Sequence, residues 1–192
     1  GSIVADYLSA DYNNLARNGT KTSDLLDSVK NNSETRDSVK KSNRIFISIG
    51  GNDYLSILNS VINEYKSEGD SLQDIKDKMM ADSLNVISKL SVLSDVTVPA
   101  TANINNTISQ IKTINPDCEI TVLALYNPFD GISISDQSLN MINSFAAPII
   151  NTFNNKLKLM NGIKIAPVYE YFKGNIYAYT NMKDSDVHPN DA

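Results

Sequence analysis

The 192-residue sequence has one cysteine, one histidine and no tryptophan. A lone Cys118 excludes a disulfide framework, and Cys118 with His188 is too small a set for a Cys/His metal site. No metal and no other cofactor is therefore expected. Long hydrophobic runs are missing too, since nothing approaches the roughly 18 apolar residues of a membrane span. No signal peptide is read at residue 1, but Gly1-Ser2 is typical of a cloning remnant, so a targeting segment removed ahead of it stays open. Basic clusters are absent, and 22 acidic against 17 basic side chains leave a net charge of −5, which argues against nucleic acid as partner. There is no glycine-rich phosphate loop of the Walker or dinucleotide type. What is present, 41% hydrophobic and 20% charged residues without repeat or long linker, suits one globular domain over residues 1–192.

The apolar periodicity predicts an alternation of strands and helices. Ile3 to Leu8 reads as a short helix and Tyr12 to Ala16 as a short extended run. Thr22 to Val29 has helical spacing, with Thr22 or Ser23 available as N-cap, and the polar stretch Lys30 to Asn43 is expected to be solvated. Arg44-Ile-Phe-Ile-Ser-Ile-Gly50 is a β-branched and aromatic run of the kind found in parallel strands buried on both faces. Helical regions are expected from Asp53 to Tyr65 and from Ser71 into the Leu90s, with an interruption at Val98-Pro99 and resumption from Ala102 to Ile114. Glu119 to Leu125 and Ile163 to Val168 read as further strands, separated by a long helix from Asp136 to Leu159. Strands and helices of these lengths imply βαβ units and a parallel sheet. In such sheets, sites form at the carboxyl ends of the strands, where Gly19, Gly50-Gly51-Asn52 and Tyr126-Asn127 are expected.

Few residues suit covalent chemistry. His188 sits in Asp184-Ser-Asp-Val-His-Pro-Asn190, where a carboxylate can orient the ring at Nδ1 and leave Nε2 as a general base. Asn52 follows a strand and two glycines, which lets the backbone turn tightly and present the amide as an oxyanion donor; it equally suits a turn, and Asp53 a helix cap. Gly19 can offer an unhindered N–H, or simply end a segment at positive φ. No Gly-x-Ser-x-Gly elbow of the ordinary α/β-hydrolases is present.

In this order and spacing the three sites resemble the blocks of the SGNH (GDSL) hydrolase superfamily of esterases and lipases. Asn14-Leu-Ala-Arg-Asn-Gly19-Thr resembles the second block, Ile47-Ser-Ile-Gly50-Gly-Asn52-Asp53 the third, and Asp186-Val-His188-Pro-Asn the fifth. The stretch from Ile114 to Phe129 is similar to the strand region of firmicute members. The resemblance implies a flavodoxin-like three-layer α/β/α fold, a Ser-His-Asp triad containing His188 and Asp186, and an oxyanion hole from Gly19 N–H and the Asn52 amide. It implies a small-molecule, lipid or glycan ester as substrate and favours a secreted or cell-surface location.

Two departures follow from the same comparison. The first block, whose Gly-Asp-Ser ends the opening strand and holds the nucleophile, is expected upstream of this sequence, as is a closing helix beyond its end. The literal Gly69-Asp-Ser71-Leu72 opens a helical run and reads as an N-cap. Second, the family places Asp three residues before His, where this sequence has Ser185; Asp184 and Asp186 flank it, and Asp186 is preferred because it lies inside the turn that Pro189 fixes. The alternative to an esterase is a degenerate or truncated module that binds acyl or glycan ligands without turnover.

Overall fold

A computed structural model of the chain describes residues 2–131, 136–182 and 186–190, apart from the side chains of Ser2 and Val4. The chain begins with α1 (Ser2–Tyr7), α2 (Thr22–Asn31) and α3 (Ser33–Lys41), which lead into β1 (Arg44–Ile47). Four helices follow: α4 (Gly51–Tyr65), α5 (Leu72–Ala81), α6 (Ser83–Ser91) and α7 (Leu93–Ile114). After β2 (Glu119–Leu123) come α8 (Gln137–Lys158), β3 (Lys164–Ala166), α9 (Val168–Phe172) and α10 (Ile176–Tyr179). The three strands pair in parallel in the order β1-β2-β3, so the architecture is the expected α/β one.

Register explains the core. Ile45 faces Ile120, Ile47 faces Val122, and Val122 faces Ile165, so one face of the sheet carries a β-branched layer. That layer packs with Ile104, Ile108 and Ile111 of α7 and with Phe153 and Leu157 of α8. Side chains of this kind contribute about 1.5–3 kcal/mol each when fully buried. A second cluster joins Leu58 and Val61 of α4, Met79 of α5, Leu90 of α6 and Ile142 of α8.

Several local expectations change. Residues 12–16 form no strand; Asn14 instead accepts the Ala16 N–H in a side-chain-closed turn. The polar stretch before β1 contains α3, capped by Asn32 accepting from Thr35 N and anchored by Val39, which is buried. Pro99 does not interrupt α7: it lies on an exposed turn with Asp95, whose carbonyl loses its helical donor where water can replace it. Phe46 is 53% exposed, because its face of the sheet carries the Arg44–Glu119–Lys164 ion pairs instead of a helix among the described residues.

One glycine fixes the exit from β1. Gly50 has φ +110° and caps α4, and a Cβ there would lie 2.7 Å from Phe153 Cζ. Backbone strain and overpacking therefore act together. Gly50→Ala is expected to lower the unfolding free energy by about 2–4 kcal/mol, as measured by urea denaturation.

Candidate active site

The strands are parallel, so the segments leaving β1 and β2 emerge at one edge of the sheet. Gly50 turns the chain after β1 and starts α4, which places Asn52 and Asp53 in the helix's first turn. This end of α4 carries the positive pole of the helix and favours negative charge nearby. The Asn52 side chain donates from Nδ2 to the Thr20 carbonyl at 3.1 Å. A primary amide has two N–H groups, so one bond orients Asn52 and the second N–H remains for another acceptor.

Gly19 lies in a turn closed by the Thr20 N–H and hydroxyl, both donating to the Arg17 carbonyl, at 3.4 and 2.7 Å. Its φ is +79°, and no heavy atom stands within 4 Å of a Cβ built on it. Its N–H meets no acceptor among the described residues. The bond to the Thr20 carbonyl thus ties Asn52 to the residue next to Gly19, although among the described residues no strand precedes Gly19.

Thr22 is the first residue of α2 and not its cap. Its N–H and hydroxyl both donate to the Asp53 carboxylate, at 3.0 and 2.6 Å, which explains why a fully buried polar side chain is tolerated there. Asp53 is correspondingly not the cap of α4. Asn103 of α7 adds a donor to the Thr22 hydroxyl at 3.2 Å.

His188 is held by its own turn. Nδ1 lies 2.5 Å from Asp186 Oδ1, and the His188 N–H donates to the same oxygen at 3.0 Å. These two bonds, the backbone one first, hold the Asp186 carboxyl below its ordinary range. The carboxylate therefore stays ionised to lower pH than an ordinary one, and its pairing with His188 is lost only as pH falls through that lowered value. With Nδ1 donating to the carboxylate, Nε2 is the basic nitrogen, and the side chain is 73% exposed and open to approach. Asp184 lies outside the described residues.

The turn is tied to the sheet. Thr180 and Pro189 form a bridge, the Asn181 N–H donates to the His188 carbonyl, and the Asn190 N–H donates to the Tyr179 carbonyl. The Tyr126 hydroxyl, just beyond β2, donates to the Val187 carbonyl between Asp186 and His188. Its ring stacks on Phe172 with centroids 4.5 Å apart. Burial, with Asp186 nearby, pushes the Tyr126 phenol up to about 12, so it remains a donor throughout the neutral range. Periodicity offered no sign of this anchor beyond placing Tyr126 after a strand.

Ser71 is elsewhere. It caps α5, accepting from Asp74 N, while the Asp74 carboxylate accepts from Ser71 N in a capping box. Among the described residues no group of His, Cys, Asp and Glu is placed to hold a metal, and no helix is long and apolar enough to cross a membrane.

A sequence model described as GDSL-like Lipase/Acylhydrolase matches residues 1–192. The chain is 22% identical over 182 residues to the uncharacterized protein YpmR of Bacillus subtilis (strain 168), covering 95% of this chain and 61% of YpmR. It thus spans about three fifths of that relative. Among solved structures it is similar to the lipase Lip_vut3 from a goat rumen metagenome, with TM-score 0.64, 21% identity and coverage of 98% of this chain and 76% of the other. An extracellular lipase from Streptomyces rimosus is similar at TM-score 0.54 and 18% identity, covering 89% of this chain and 70% of that lipase. At these identities the two structures show the fold.

Proposed function

The chain belongs to the GDSL-like lipase/acylhydrolase family, and from that premise we propose that it carries the base and oxyanion hole of a serine hydrolase of carboxylic esters. The observation that carries this reading is the Asp186–His188 pair, with Nδ1 on the carboxylate and Nε2 open. Its turn is anchored beyond β2, at the same sheet edge as Asn52.

In this reading the nucleophilic serine lies outside residues 1–192. Its Oγ attacks the acyl carbon while Nε2 of His188 takes the hydroxyl proton. Asp186 holds the tautomer and stabilises the imidazolium. The tetrahedral oxyanion receives Gly19 N–H and the second N–H of Asn52, near the positive end of α4. Nε2 then returns the proton to the departing alcohol, and water repeats the sequence on the acyl-serine. Lipid, thioester and acetyl-sugar esters all fit this chemistry, since the site acts only on the acyl group.

A second reading, a module that binds acyl or glycan ligands without turnover, draws on Gly69-Asp70-Ser71, which serves as a helix cap. The test is hydrolysis of p-nitrophenyl acetate by the full-length protein. Saturable turnover is the expected result; a folded protein no faster than buffer overturns the esterase reading in favour of the binding module.

A further inference from the structure

Residues 52 and 53, adjacent in the first turn of α4, grip alternate residues of the segment that follows Gly19. Asn52 holds the Thr20 carbonyl, and Asp53 holds both the N–H and the hydroxyl of Thr22. Two attachments fix the rotation of this segment against α4 as well as its distance from it. Asn103 reaches Thr22 from α7, and Thr22 itself is fully buried, so the junction is referenced to the core and not to solvent. Gly19 is one residue from the gripped carbonyl, in a turn that Thr20 closes onto Arg17. The Asp53 carboxylate therefore sits where a small displacement changes the separation of Gly19 N–H from the Asn52 amide.

We propose that Asp53, acting through Thr22, is a positioning residue that sets the spacing of the two oxyanion donors. The inference rests on the oxyanion reading of Gly19 and Asn52 given above. Asp53 touches no substrate atom. Its carboxylate is an acceptor with nothing to donate, matched to the two donors of Thr22, and it leaves the second Asn52 N–H uncommitted. Donors aimed at developing charge are effective only at the correct distance, and a displacement near 1 Å costs about 10²-fold in rate.

The test is a double-mutant cycle on p-nitrophenyl acetate turnover in the full-length protein. Asp53→Asn keeps the shape but turns one acceptor into a donor facing Thr22, and Thr22→Val removes the hydroxyl without changing volume. Each is expected to lower kcat by about 10- to 100-fold with KM within about twofold. Thr22→Ser, which keeps both donors, is expected to restore kcat to within about threefold of the parent. With Asn52→Ala already present, Asp53→Asn is expected to cost less than about threefold, because its target is gone.

An equal cost of Asp53→Asn with and without Asn52 would overturn the proposal while leaving the oxyanion hole intact. So would parental kcat in folded Thr22→Val. If Asn52→Ala alone leaves kcat unchanged, the oxyanion reading itself fails and this inference falls with it. Thermal melts accompany each variant, and Thr22→Val serves where Asp53→Asn does not fold.

Discussion

His188→Ala is expected to reduce kcat for ester hydrolysis by roughly 10⁴-fold or more, with the protein still folded. The size follows from the role: without Nε2 the serine hydroxyl must lose its proton to water, and the departing alkoxide must find one there. The fold is expected to survive the substitution because the imidazole contributes little to it. The side chain is 73% exposed, and its ring's one hydrogen-bond partner among the described residues is Asp186. The bonds that shape the turn come from the backbone N–H and carbonyl at 188 and from Tyr126, and alanine keeps them. A melting temperature close to the parent's is therefore expected alongside the loss of rate. Activity that survives the substitution in a folded protein removes His188 from the mechanism.

Asn52→Ala comes next in size. Losing one oxyanion donor costs about 10²–10³ in kcat, and KM is expected to stay near its starting value because the bond is strongest when the carbonyl oxygen becomes negative. The side chain also tethers Thr20, so some of the loss arises from movement of Gly19. Steady-state kinetics separates the outcomes: a raised KM at constant kcat would mean that Asn52 binds the ground state and not the oxyanion.

What is legible in the sequence follows the range of the forces involved. β1 and β2 stand out through their β-branched residues, although burial on both faces does not hold, since only alternate positions such as Ile47, Ile120 and Val122 enter the core and Phe46 is exposed. α8 stands out because twenty-odd residues of helical spacing outweigh one exposed Pro148. Gly50-Gly51-Asn52 and Asp186-Val187-His188 were legible for the same reason, since turn chemistry is local. α3 is not legible because its single buried anchor, Val39, makes no periodic stripe. Pro99 was misleading because the cost of a missing N–H depends on whether water reaches the freed carbonyl. The framework of the site was not legible at all. Thr22 meets Asp53 across 31 positions and Asn103 across 81, and Tyr126 meets Val187 across 61. Pairings of this kind exist only once the sheet and helices have brought the segments together.

The central claim is that His188 and Asp186 activate a serine at the edge shared by β1 and β2. Its most direct test is reaction of the full-length protein with a serine-directed fluorophosphonate, followed by intact mass and peptide mapping. The account predicts one adduct per chain on a serine outside residues 1–192, turnover lost in proportion to labelling, and labelling abolished by His188→Ala. An adduct on Ser71 with turnover lost, or full labelling that leaves turnover untouched, would contradict it.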